Sequence, residues 1–277
     1  MSFLKNNIRS RKVIFLDFFC HSKYNTNMDK RFFITLNNFV DSQKDNFVPQ
    51  VKSQLVLDGE EHNHFARVLR GRVGDIVELF FDGSDIFVCR VDEILKNQTL
   101  MHVLSINKCL SNPTLDVTLF QGLPKLDKLE LITQKCCEIG VNSIIPFTSS
   151  YTIAKDSSGK ISRLDKIIIS SCKQCQRSKL LKISNAIKFD EMCSRLKNYD
   201  LVIFANEKER SERLATLLLS SKATKIAYIV GSEGGFSDDE IEKLSKMSKS
   251  ITLGERILRT ETAAIAIASN IFCILEK

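Results

Sequence analysis

The sequence predicts an α/β protein in two parts, a small β-rich domain followed by a larger domain in which strands and helices alternate. Three observations predict it. Between residue 31 and about residue 106, short apolar or alternating runs recur with turn residues between them. After residue 114, each apolar run is followed by a longer stretch with helical spacing, the rhythm of a parallel sheet covered by helices. Near the C-terminus, GSEGGFSDDE (231–240) follows the apolar run KIAYIV directly, and such a sheet holds its ligands at the carboxyl ends of its strands.

At 277 residues and 43% hydrophobic composition, the chain can bury one large or two modest cores. No stretch reaches the roughly 18 consecutive apolar residues that a membrane span needs, since VIFLDFFC (13–20) is short and carries Asp17. Nine cysteines without a secretory signal fit reduced thiols in a cytoplasmic protein. CKQC (172–175) has no second CxxC and no neighbouring His, and it lies inside a helical pattern. It reads as ordinary thiols, and no metal site is expected. Of the formal charge of +7, residues 1–27 supply +4, so the body permits a polyanionic partner without demanding one.

Residues 1–29 have no sustained periodicity and read as a leader, a targeting segment or the product of a start codon upstream of Met28. Residues 30–108 form the β-rich domain, with strands at RFFITL, QLVLDG, DIVELFFDG, DIFVCRVDEI and LMHVLSI and turns at Asp82–Ser84 and Lys96–Gln98. EEHNHFARVLR (60–70) interrupts it as a short helix expected to end at Gly71, with His64 a packing or capping residue. After the linker NPT (112–114), residues 109–277 form the α/β domain. Its strands are DVTLFQG, VNSIIPFTS, DLVIFAN, KIAYIV and SITLGE, and its helices include LDKLELITQKCCEIG and ISRLDKIIISSCKQCQR.

The glycine loop is neither GxGxxG nor GxxxxGK[ST], which disfavours a dinucleotide-binding oxidoreductase. Ser237 and Glu240 form a capping box for the next helix, and Asp238 and Asp239 fill its first turn. Those carboxylates satisfy the helix start internally and would repel a phosphate, so the loop suits a ligand without one. ITLGERILRTETAAIAIASNIFCIL (251–275) repeats the plan: a strand, a glycine turn, a polar loop, then a helix expected to be capped by Thr260. Ala263, Ala264, Ala266 and Ala268 keep that helix thin for close packing within the fold or across a dimer. On the earlier helix Arg163, Lys166, Ser170, Lys173 and Arg177 recur at helical spacing, which makes a basic face that suits a phosphate backbone or a solvated surface.

IVGSEGGF with LGERILRTETA, preceded by CKQCQR and HFARVLRGRVGD, resembles the bacterial ribosomal RNA small subunit methyltransferase E family of the SPOUT superfamily, over roughly residues 30–277. The resemblance implies a PUA-like N-terminal β-barrel domain, a C-terminal α/β domain with a trefoil knot, and a homodimer. It also implies S-adenosylmethionine-dependent methylation of N3 of a uridine in 16S rRNA, hence rRNA processing in ribosome biogenesis. Carried over, the cofactor residues are Phe204, Ala205, Glu207, Val230, Gly231, Glu233, Gly234, Gly235, Leu253, Gly254, Arg256, Ile257 and Leu258. Ser232 stands where the family has proline, and so does Leu181.

Methylating uracil N3 requires loss of its proton and stabilisation of the developing anion. This nominates the cations Arg259 and Arg177, with Glu261 or Glu233 as orienting or proton-accepting groups. The RNA-facing candidates are Arg67, Arg70, Arg72, Arg163, Lys166, Lys173 and Arg177, which would meet 16S rRNA within the small ribosomal subunit. The alternatives are a related methyltransferase acting on another rRNA or tRNA base, and a non-catalytic RNA-binding ribosome-assembly module.

Overall fold

The structure, a computed structural model, describes residues 30–43, 47–153 and 161–276; the leader at 1–29 lies outside the described residues. Five strands, β1 (Arg31–Phe33), β2 (Gln54–Asp58), β3 (Ile76–Phe80), β4 (Ile86–Ile94) and β5 (Gln98–Asn107), pair in the order β1-β3-β4-β5-β2. Only β1 and β3 run parallel. Alternation puts Leu55, Leu57, Val77, Leu79, Cys89, Val91, Met101 and Val103 on one buried face around Phe32, Phe65 and Phe87. The segment after β1 crosses from one edge toward the other. It bridges Phe39 to Leu55, and its Val40 N–H donates to the Gln54 carbonyl at 3.0 Å, so the sheet curls into a half-barrel.

The helical interruption ends differently from the sequence expectation. α1 (Gly59–Asn63) runs into a π turn over His64–Val68, and Arg70, not Gly71, takes the left-handed conformation, at φ 51. Gly71 is needed for space: a Cβ there would lie 2.1 Å from the Phe65 ring. His64 packs edge-on against Phe32, with ring centroids 5.9 Å apart.

Beyond the linker, strands and helices alternate as β6 (Asp116–Gly122), α2 (Leu126–Ile139), β7 (Ser143–Thr148), α3 (Ile161–Cys175), β8 (Lys182–Ile183), β9 (Ile187–Lys188) and α4 (Phe189–Arg195). They continue as β10 (Leu201–Ala205), α5 (Leu214–Leu219), β11 (Lys225–Val230), α6 (Asp238–Met247), β12 (Lys249–Ile251) and α7 (Thr260–Leu275). The strands form a parallel sheet in the order β12-β10-β11-β6-β7-β8, with β9 also paired to β7. Burial on both faces explains the apolar run IAYIV of β11 and the burial of Thr118 and Gln121 beside the apolar residues of β6. α2, α3, α5 and α7 cover one face through Ile132, Cys136, Ile168, Leu214 and Ile267, while α4 and α6 cover the other through Met192 and Leu244.

Ala263, Ala264 and Ala268 of α7 pack inside the chain, and Ala266 is half-buried. Ala264 and Ala268 are fully buried, and a Cβ at Gly140, which closes α2, would lie 2.9 Å from the Phe272 ring. The linker is fastened as well, because the Asn112 side-chain oxygen accepts from the backbone N–H groups of Ser178 (2.9 Å) and Lys179 (2.8 Å).

Candidate active site

The carboxyl ends of β10, β11 and β12 open onto one cleft of about 890 Å³. All thirteen residues expected to touch a cofactor line it: Phe204, Ala205 and Glu207 after β10, Val230, Gly231, Glu233, Gly234 and Gly235 at β11, and Leu253, Gly254, Arg256, Ile257 and Leu258 after β12. Arg259 lines it as well.

Close packing shapes the loop after β11. A Cβ on Gly122, the last residue of β6, would lie 2.3 Å from the Ser232 nitrogen, and one on Gly234 would lie 2.6 Å from the Tyr151 carbonyl. Gly235 takes a left-handed φ of 68. The capping box forms as the sequence predicts. The Ser237 N–H donates to Glu240 Oε2 (2.9 Å), the Glu240 N–H donates to Ser237 Oγ (3.3 Å), and the other Glu240 oxygen accepts from Ser150 N–H at 2.9 Å. At this helix start the Ser237 N–H is thus taken by a carboxylate and the Glu240 N–H by a hydroxyl.

Thr260 does not cap α7. The N-cap is Arg259, and the Thr260 hydroxyl donates instead to the Gly231 carbonyl while accepting from Gln121 Nε2 at 2.8 Å. One hydroxyl thus ties the end of β6, the loop after β11 and the start of α7 together.

Lys128, in the first turn of α2, gathers the site carboxylates: its Nζ lies 3.1 Å from Glu233 and 3.8 Å from Glu261. Burial pushes the Glu233 pKa up, but its own backbone N–H, Lys128 and the Lys125 N–H outweigh that and hold it below the usual range. Glu261 keeps a buried Oε2, and Ser232 a buried Oγ, without a hydrogen-bond partner. Sequence reasoning missed Lys128. The available signal was its place, one turn beyond the end of a central strand.

The cations differ in placement. Arg256 and Arg259 are exposed, and among the described residues their side chains have no ion-pair partner. Arg177 departs from its two expected roles. α3 stops at Cys175, Gln176 turns left-handed (φ 67), and the basic face loses its register there. Arg177 is 1% exposed and donates to the carbonyls of Lys179 (2.6 Å), Cys137 (2.9 Å) and Val141 (3.0 Å), away from both the cleft and the helix surface. The rest of that face meets carboxylates, with Arg163 on Glu130 (2.8 Å), Lys166 on Glu60 (2.9 Å) and Lys173 on Glu61 (2.8 Å). The last two pairs dock α3 on α1. Arg67, Arg70 and Arg72 are all solvent-exposed.

Comparison with known proteins agrees with this architecture. The RNA methyltransferase domain family matches residues 111–272, and the RNA methyltransferase PUA domain family matches residues 57–98. The chain is 35% identical over 218 residues (76% of this chain, 83% of the relative) to the ribosomal RNA small subunit methyltransferase E of Buchnera aphidicola subsp. Acyrthosiphon pisum. It is 34% identical over 224 residues (79% and 89%) to the protein of the same name from Rickettsia conorii. Among solved structures it resembles a methyltransferase from Legionella pneumophila in complex with the cofactor SAM, with a TM-score of 0.74 and 26% identity over 88% of this chain and 97% of that one. A half-barrel carrying the PUA match, joined to a parallel sheet whose strand-end loops hold GSEGG and LGERILRTET, makes this chain a member of the ribosomal RNA small subunit methyltransferase E family.

Proposed function

We propose that the protein transfers a methyl group from S-adenosylmethionine to N3 of a uridine in the 16S rRNA of the small ribosomal subunit. The observation that carries this reading is the convergence of three strand-end loops on one cleft whose adjoining helix start is filled by carboxylate. Such a cleft suits a phosphate-free, positively charged ligand. Glu233 supplies a negative charge at its wall, and the Oγ of Ser232, another lining residue, has no hydrogen-bond partner within the protein. When bound, S-adenosylmethionine supplies an electrophilic methyl group on a sulfonium sulfur.

The residues of this chain then divide the work. Arg259, free at the N-cap of α7, lies where a guanidinium can face a uracil carbonyl oxygen and stabilise the anion that forms as the N3 proton leaves. Glu233 is a weak base, since Lys128 keeps it ionised, and its role is to orient the ligand. Glu261 lies outside the residues that line the cleft, and its 3.8 Å pairing with Lys128 gives it an orienting role.

The exposed Arg67, Arg70 and Arg72 form the RNA-facing surface of the N-terminal domain. The same proposal includes the division into residues 30–108 and 109–277, the trefoil knot of the SPOUT fold, a homodimeric assembly and a cytoplasmic location. The test incubates the protein with labelled S-adenosylmethionine and small subunits lacking the modification, then maps the product by nuclease digestion and mass spectrometry. A single N3-methyluridine in 16S rRNA is expected. Cofactor binding without that product points to another RNA base, and absence of cofactor binding leaves an RNA-binding module.

A further inference from the structure

Where α2 and α3 end side by side, three thiols meet a buried charge. The Cys137 and Cys172 sulfurs are 3.4 Å apart and both residues are fully buried, whereas Cys175, one turn further along α3, is partly exposed. Behind them lies Arg177, whose partners are neutral carbonyls and whose Nη2 has no hydrogen-bond partner. A full positive charge held in the interior without a counter-charge costs several kcal/mol. Among the described residues no carboxylate bonds it, and the ionisable groups beside it are these thiols.

We propose that Cys137, Cys172 and Cys175 form a redox-modification site in which Cys175 is the reactive thiolate, Cys137 is the thiol that resolves it, and mild oxidation staples α2 to α3. The reaction is independent of the methyl-transfer reading.

The electrostatics agree with the geometry. Hydrogen bonding with Cys172 and Cys175 raises the Cys137 pKa, while the Cys137 hydrogen bond lowers that of Cys172. The Cys137 hydrogen bond is the largest influence on Cys175, with Arg177 adding to it, and together they bring Cys175 down to about 6. Burial opposes this most. The carbonyl end of α3 also disfavours an anion, and Glu138 repels one, although Glu138 is itself paired with Lys135 at 2.9 Å. Other described thiols serve as internal controls, since burial raises Cys89, Cys136 and Cys193, and Cys273 is exposed without such neighbours.

The chemistry balances with hydrogen peroxide as oxidant. The Cys175 thiolate attacks one peroxide oxygen, the O–O bond breaks, and the departing hydroxide is protonated to water, leaving a sulfenic acid. The Cys137 sulfur then attacks that sulfur, an S–S bond forms, the S–O bond breaks, and hydroxide leaves with the Cys137 proton as a second water. Two thiols and one peroxide become one disulfide and two waters.

The test uses the full chain, reduced and then freed of reductant. Iodoacetamide labelling across pH 5–9, read peptide by peptide, is expected to give Cys175 a midpoint near 6. Peroxide is expected to link the Cys137 peptide to the Cys172–Cys175 peptide, two hydrogens lighter and reversed by dithiothreitol. Cys136→Ala is expected to keep the link, and Cys137→Ala to lose it. Cys175 labelling with a midpoint of about 8 or above, or peroxide giving only sulfinic acid or no cross-link in the wild-type protein, would overturn the proposal. Both of those readouts come from the wild-type chain, so they decide the matter even where a variant fails to fold.

Discussion

The two glycine loops that line the cleft are built on opposite plans. The loop at 231–235 is fixed from several sides: Gly122 and Tyr151 press on its backbone, Thr260 and Gln121 bond its first carbonyl, and Lys128 holds its glutamate. The loop at 252–259 is secured mainly by a bridge from Thr252 to Arg213 and by its own Thr252–Gly254 bond. Its tip is open, with Ile257 84% exposed and Arg256 and Arg259 reaching solvent. Rigidity belongs where a small ligand must be read the same way at every turnover, and freedom where a large ligand has to settle. Under the proposed function both loops line the cofactor cleft, the fixed first loop suits reading the cofactor, and the open tip of the second suits meeting the RNA as well.

The largest effect expected from that division is at Arg259. Arg259→Ala should lower turnover on small subunits by about a hundredfold, near 3 kcal/mol of barrier, while cofactor affinity measured by calorimetry stays within twofold. Equal losses in both quantities would break the comparison. Gly122→Ala strikes the fixed loop from behind. With its Cβ set against the Ser232 nitrogen it should lower stability by about 2 kcal/mol in denaturant titration and weaken cofactor binding at least tenfold.

Lys128→Met sharpens the picture further, with an expected loss of several-fold in cofactor affinity and less than about 1 kcal/mol in stability, because Glu233 is 33% exposed. The sign with pH follows from the depressed Glu233 pKa. The stability that Lys128 confers is present above the unfolded glutamate value near ~4.3 and is lost as pH falls through the lower folded value, so wild type and variant should converge in acid. Thermal melts should show the gap at pH 7 and a gap that narrows as pH falls below ~4.3.

What the sequence revealed was what local chemistry decides. Ser237 and Glu240 are three residues apart and cap a helix by themselves, and the apolar run of β11 marks a strand covered on both faces. Chain reversals and distant partners stayed hidden. Arg177 continues a helical spacing that the backbone has already left at Gln176. Thr260 has the side chain of an N-cap but spends it on a carbonyl 29 positions away, and Gly71 stands where it does because of the Phe65 ring. Lys166 and Lys173 look like a stripe for RNA until Glu60 and Glu61 come to meet them. Each of these depends on a partner brought up by the tertiary fold, and spacing alone carries no record of it.

The placement of β11 beside β6 has a consequence for how the protein is made. Gln121, at the end of β6, bonds a carbonyl 110 positions later in the chain, so the middle of the sheet stays unzipped until that later segment has left the ribosome. At synthesis rates of about 5–20 residues per second the wait is on the order of ten seconds, during which one long side of a partly apolar strand has no mate. Pairings of such long range are closed late and slowly. The nascent chain is therefore most vulnerable to aggregation in that interval, before the enzyme's own cleft exists.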